Sequence, residues 1–171
     1  MSRLEKTMDQ TIKTITMKTG KYLTFSLDNE EYGVGILKVK EIIGMMTITS
    51  VPRTPEFVKG VINLRGKVIP IIDLRLKFNM PAIQYSERTC IIVVEIESDA
   101  RTISIGIVVD SVSEVLNIKK EEIEAAPAFG TRLETSYILG MAKTEGRVKI
   151  LLDIDHVLST GEISSIDQST M

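Results

Sequence analysis

Tryptophan is absent from this chain, and cysteine and histidine occur once each, as Cys90 and His156. A single cysteine leaves no partner for an internal disulfide. It opens the run Cys90-Ile91-Ile92-Val93-Val94, which reads as a buried strand with the thiol as a small core group. A reactive thiol needs electropositive neighbours, and that run supplies none. A single histidine leaves Ser/His/Asp or Cys/His catalysis one candidate. His156 lies in Asp153-Ile154-Asp155-His156-Val157, where its neighbours suggest an exposed helix position. No Cys/His cluster has metal-ligand spacing. No glycine-rich loop follows a strand and opens a helix, so no phosphate cradle is visible. No metal and no cofactor are expected. Four Phe, four Tyr and a net charge of −2 provide neither a stacking platform nor a basic field for nucleic acid. The same charge disfavours an anionic membrane surface. No run approaches the roughly 20 apolar residues of a membrane span. Met1–Lys18 has no apolar signal-peptide core, so the cytoplasm is the expected compartment.

What is present is a repeat. Gly33, Ile36, Val39, Glu41 and Ile42 reappear 73 residues later as Gly106, Val109, Val112, Glu114 and Val115. Pro55-x-Phe57 recurs as Pro127-x-Phe129, and Gly60 as Gly140. Gly66-Lys67-Val68-x-x-Ile71-Ile72-Asp73-Leu74 recurs as Gly146-Arg147-Val148-x-x-Leu151-Leu152-Asp153-Ile154. The order is kept while the offset moves from 73 to 72 to 80, as loop insertions would make it. The 171 residues, 43% apolar and 26% charged, suffice for one domain or two tight subdomains.

Period-2 alternation dominates. Leu23, Phe25 and Leu27 alternate with Tyr22, Thr24 and Ser26. Residues 60–64, 67–74, 90–97, 102–109 and 147–152 also read as strands, many β-branched on both faces. Helical signals are short: about two turns over Leu37–Ile43, one over Lys119–Ile123, and a final helix through Ile154, Val157 and Leu158 capped by Asp153 or Asp155. Each half supplies about five short strands with glycine corners, as a small closed barrel requires. The expected fold is mainly β: two small five-stranded SH3-like barrels packed together, with short helices and a C-terminal helix. The expected boundaries are a flexible segment at 1–19, a folded body at 20–159, and a flexible tail at 160–171. Within the body the barrels are expected at about 20–86 and 87–153, with strands exchanged at the ends.

Chemistry is sparse. Asp73 and Asp153 are equivalent in the repeats, but each sits at a strand end and reads as a cap or turn residue. Lys119-Lys120-Glu121-Glu122 reads as a solvated charge run. Surfaces carry more. Ile36 and Val39 are three apart and, on a helical turn, share a face with Ile43. With the apolar strand Ile103–Val109 they would line a groove between barrels that suits an amphipathic helix. The alternative is that both segments form the inter-barrel core. Arg65, in Asn63-Leu64-Arg65-Gly66, can fork onto a carboxylate, with Glu41 the expected partner. The alternative is a surface arginine in a hairpin turn.

These residues carry a resemblance. Tyr32-Gly33-Val34-x-Ile36-x-x-Val39-x-Glu41-Ile42, Pro52, Pro55-x-Phe57-x-x-Gly60-Val61-x-Asn63-Leu64-Arg65-Gly66 and Pro70-x-x-Asp73-Leu74 resemble the CheW family. Gly106-Ile107-Val108-Val109-Asp110-x-Val112 and Gly146-Arg147-x-x-x-Leu151-Leu152-Asp153-Ile154 extend the match over about residues 20–160. The resemblance implies a cytoplasmic, non-catalytic adaptor recruited to membrane-associated receptor arrays. Such adaptors join the helical-hairpin tip of methyl-accepting chemoreceptors to the regulatory domain of the chemotaxis histidine kinase, which has the same two-barrel fold. Carried over by position, it implies a receptor-facing surface of Ile36, Val39 and Ile42 with Ile105, Gly106 and Val108. It ties Glu41 and Arg65 to receptor coupling and Gly60 to kinase binding.

Overall fold

The computed structural model of the protein describes residues 20–98, 101–125, 137–159 and Glu162. Segments 1–19 and 160–171, expected to be flexible, lie outside the described residues except for Glu162, as does Pro127-x-Phe129.

Eleven strands are described: β1 (Lys21–Leu27), β2 (Glu30–Gly35), β3 (Val39–Gly44), β4 (Val58–Leu64), β5 (Lys67–Asp73), β6 (Cys90–Ser98), β7 (Arg101–Val109), β8 (Ser111–Asn117), β9 (Ile123–Glu124), β10 (Ile138–Thr144) and β11 (Arg147–Leu152). One short helix, α1 (Leu74–Lys77), follows β5, and its N-cap is Asp73, which accepts a hydrogen bond from the Leu76 N–H at 3.3 Å. The strands form two sheets, in the orders β8-β1-β2-β11-β10-β9 and β3-β6-β7-β5-β4. The sixth strand of the first sheet is the two-residue β9.

Each sheet mixes the repeats. β2 pairs in parallel with β11, placing Gly33 beside Leu151, and β7 pairs in parallel with β5, placing Gly106 beside Ile71. The chain crosses between the sheets twice among the described residues, at the 3-10 turn Ile36–Lys38 and at Asp110.

Three apolar clusters follow, because many strands bury both faces. All five strands of the smaller sheet send side chains into one interior, represented by Ile43, Ile62, Ile71, Ile91 and Val108. The larger sheet has its own interior around Tyr22, Ile118, Ala142 and Leu151. Tyr22, on the polar face in the sequence pattern, is therefore fully buried. The largest cluster lies between the sheets and joins Leu23, Phe25, Leu27 and Val34 to Ile72, Ile92, Val94 and Ile105. A column of stacked rings runs along it: Phe25–Tyr32 at 5.9 Å, Tyr32–Phe78 at 6.2 Å and Phe78–Tyr137 at 5.1 Å.

The smaller sheet closes through the segment after β3. Thr49 and Val61 exchange two backbone hydrogen bonds of 2.9 Å, joining the chain leaving the β3 edge to the β4 edge. Gly60 lies at the β4 bulge with φ 139°, and a Cβ there would fall 2.0 Å from the Thr49 carbonyl oxygen. Only glycine permits both that backbone and that approach.

Two expectations change. The helical segment over Leu37–Ile43 is a single 3-10 turn at Ile36–Lys38 followed by strand β3. β-branched Val39, Ile42 and Ile43 favour the extended form once β6 offers a ladder. The C-terminal helix through Ile154, Val157 and Leu158 is not formed: Ile154–His156 is a 3-10 turn that drops Ile154, Val157 and Leu158 into the inter-sheet cluster. The backbone position of Phe57 is matched in the second repeat by Tyr137. Asp73 N–H donates to the Phe57 carbonyl at 2.8 Å, as Asp153 N–H donates to that of Tyr137 at 2.7 Å. The expected turn near Lys119–Ile123 is present as a 3-10 turn at Lys120–Glu122.

Candidate functional site

The first crossover and the strand after it present two accessible apolar residues at or beside the candidate positions. Leu37 is 75% exposed at the centre of the turn, and Ile42 is 44% exposed on β3. Ile36 and Val39 are half-buried against the inter-sheet cluster. Alternation along β3 then turns Lys40 and Ile42 outward and Ile43 into the smaller sheet's interior. Lys40 pairs with Glu95 of neighbouring β6 at 2.9 Å.

Arg65 reaches this strand from the β4–β5 hairpin. The turn needs positive φ at both central residues, and Arg65 and Gly66 have φ 51° and 84°. Asn63 Oδ1 steadies it by accepting from Gly66 N–H at 2.9 Å. Arg65 Nη1 donates to both Glu41 oxygens at 3.0 Å each. The expected contact is made, although Glu41 sits on a strand rather than a helical turn. Its second copy is different. The β10–β11 hairpin repeats the backbone, with Glu145 and Gly146 at φ 52° and 76°. The counterparts of Glu41 and Arg65 are Glu114 and Glu145, two carboxylates, so only the first copy carries this cation–carboxylate combination.

The other candidates are interior. Ile105 is 1% exposed and joins Ile36 and Val39 in the inter-sheet cluster. Val108, 3% exposed, enters the smaller sheet's interior. Gly106 lies beside that interior, where a Cβ would meet Ile71 Cδ1 at 2.6 Å and Ile91 Cγ2 at 2.7 Å. The strand Ile103–Val109 therefore contributes to two cores, the one between the sheets and the one inside the smaller sheet. The structure brings Ile36, Val39 and Ile105 together, and Glu41 to Arg65. It gives Ile105, Gly106 and Val108 no accessible side-chain surface. Sequence reasoning missed Leu37. Its signal was its place between the periodic positions Ile36 and Val39, beside Lys38.

The polar candidates have local roles. Asp73 is 4% exposed, and its second carboxylate oxygen accepts from the Tyr85 hydroxyl at 2.9 Å. Burial, then that carboxylate, pushes the Tyr85 phenol up from its ordinary value. Asp153 makes no side-chain cap; its Oδ2 lies 2.8 Å from Nδ1 of His156. His156 also donates its N–H to the Asp153 carbonyl at 2.9 Å, so the contact closes its own turn. Cys90 is half-buried, with Sγ 3.1 Å from the Arg88 carbonyl. Among the described residues no three His, Cys, Asp or Glu side chains gather to hold a metal ion. No described helix is long and apolar enough to cross a membrane.

Two sheets on three cores, with an exposed apolar turn beside an ion pair, describe a β scaffold that presents surfaces. A family model described as a CheW-like domain matches residues 21–162. The chain is 45% identical over 147 residues to the chemotaxis protein CheW of Klebsiella aerogenes, covering 86% of each chain. It is 33% identical over 155 residues to the chemotaxis protein CheW of Rhizobium meliloti, covering 91% of this chain and 97% of that one. A crystal structure of scaffolding protein TtCheW from Thermoanaerobacter tengcongensis matches with a TM-score of 0.73 at 37% identity, over 83% of this chain and 94% of that one. The chain belongs to the CheW-like family of chemotaxis scaffolds.

Proposed function

We propose that the chain is a non-catalytic chemotaxis adaptor. It couples the cytoplasmic tip of a transmembrane chemoreceptor to the regulatory domain of a chemotaxis histidine kinase. It works in the cytoplasm, at receptor arrays on the membrane. Family membership over residues 21–162 supports the role. The observation that carries the site is the accessible strip Ile36, Leu37, Val39 and Ile42, flanked by the Glu41–Arg65 pair found in only one repeat.

A receptor helix laid on this strip buries a few leucine-sized side chains. Each is worth roughly 1.5–3 kcal/mol before ordering costs are subtracted. Arg65, held in place by Glu41, keeps free donors for a partner carboxylate or carbonyl at the rim. Ile105 supports the strip from behind, and Gly106 and Val108 support the sheet beneath it. Gly60 acts on kinase binding by keeping the β4 edge and its Thr49 closure in shape.

The test is co-sedimentation with receptor-containing membranes and the cognate kinase, with kinase activity read alongside. The expected result is recruitment and receptor-dependent activation only when this protein is added. Binding to neither partner contradicts the role.

A further inference from the structure

The two crossovers between the sheets each carry a partly buried ion pair, and the residues that meet them, Arg75 and Asp155, are equivalent in the repeat and opposite in charge. At the second crossover, Asp110 Oδ2 receives Arg75 Nη1 at 2.7 Å. Arg75 lies just beyond β5, with only 7% of its side chain exposed, and also reaches Asp28 of the opposite sheet at 3.3 Å. Asp110 Oδ2 also accepts from the Asp28 N–H at 2.8 Å, so the three groups lock the β1–β2 turn to α1. At the first crossover, Lys38 Nζ lies 2.9 Å from Asp155 Oδ2, with 33% and 21% of the side chains exposed. Asp155 lies just beyond β11, at the position equivalent to Arg75 by the offset of 80. It too reaches the opposite sheet: its Oδ1 accepts from the Glu97 N–H at 3.0 Å.

The apolar cluster between the sheets is non-directional and permits small rotations that keep its area buried. Charge-assisted hydrogen bonds are short and directional, so bonds at both crossovers select one orientation from those rotations. Buried polar contacts serve conformational specificity in this way in some proteins.

We propose that Arg75–Asp110 and Lys38–Asp155 are matched clamps that set the angle between the sheets, with Lys38 and Asp155 as positioning residues for the turn carrying Ile36, Leu37 and Val39. The geometric claim stands without any partner. Only its consequence, that the clamp presents the strip to a receptor, rests on the adaptor role proposed above.

The test measures the angle directly in the full chain. Spin labels at Lys67→Cys and Arg147→Cys, in a Cys90→Ala background, report the distance between the two sheets by pulsed electron resonance. Both positions are exposed first residues of equivalent strands, β5 and β11. The parent gives one narrow distance distribution. Lys38→Met and Asp110→Asn shift and broaden it while the far-UV strand signal is kept, and Lys38→Arg restores the narrow distribution. An unchanged distribution in both variants overturns the proposal. Loss of the strand signal in both also overturns it, because the pairs would then be needed for folding rather than orientation. Failure of the parent to bind receptor membranes would remove the adaptor role and leave this result standing.

Discussion

Arg65 and Glu41, 24 positions apart, meet across the smaller sheet with one guanidinium nitrogen 3.0 Å from both carboxylate oxygens. The arginine side chain is 72% exposed, so the pair adds little to stability. Exposed pairs contribute about 0–1 kcal/mol. Arg65→Ala should therefore leave the urea midpoint nearly unchanged while impairing receptor-dependent kinase activation. Normal activation by a folded Arg65→Ala protein would remove this residue from the coupling surface.

Val39→Glu should weaken receptor binding more than kinase binding. The residue is half-buried at the rim of the inter-sheet cluster, so the charge can turn toward water. Binding to each partner is measured separately, alongside a thermal melt. Equal loss of both, or a collapsed melt, would assign Val39 to the core alone.

Gly60→Ala should destabilise more than Gly106→Ala. At Gly60 the added methyl meets a backbone oxygen at 2.0 Å and φ is 139°. At Gly106 its close contacts are side-chain methyls, Ile71 Cδ1 at 2.6 Å and Ile91 Cγ2 at 2.7 Å, with the nearest backbone oxygen, that of Pro70, at 3.9 Å. Overpacking of that second kind costs about 1–3 kcal/mol. Denaturant midpoints rank the two. Kinase binding by Gly60→Ala should then fall in step with its folded fraction, and a stable, folded Gly60→Ala that fails to bind kinase would make the role a direct contact.

Much of this was readable in the chain. The repeat announced duplicated strands and equivalent hairpins, and Arg65 with Glu41 could be paired because a tight turn and a nearby carboxylate suit each other. Which strand joins which sheet was not readable. Gly33 lies between Thr24 of its own repeat and Leu151 of the other, and parallel pairings of distant segments leave no local periodicity. The resemblance placed Ile105 and Val108 on the receptor-facing surface, and alternation could not reveal that their sheet has a core on each face. The helix expected over Leu37–Ile43 failed for a related reason, since spacing of three suits a 3-10 turn as well as an α-helix. The crossover ion pairs were invisible because their partners are 35 and 117 residues apart.

Glu162 gives a pH prediction for the chain beyond the last sheet strand. Burial alone would raise its carboxyl, but the Ser159 N–H and the Lys77 ammonium outweigh it and hold the group below its ordinary value. Lys77 Nζ lies 2.9 Å from Glu162 Oε2. A folded pKa below the unfolded one stabilises the contact above the unfolded value, about 4.3 for glutamate, and that stabilisation is lost as the pH falls through the folded value. The protection factor of the Ser159 amide against hydrogen exchange should hold through neutral pH and fall in acid. Lys77→Met should move that loss to higher pH, and an unchanged profile would show that Lys77 does not govern the anchor.

In the proposed role, an exposed apolar turn beside an ion pair joins a chemoreceptor to a kinase. The most direct measurement is reconstitution of receptor membranes, kinase and this protein, with kinase recruitment and activity read together. The account predicts recruitment and activation with the parent protein, and kinase binding without receptor binding for Val39→Glu. Full receptor-dependent activation by both Val39→Glu and Arg65→Ala would contradict it.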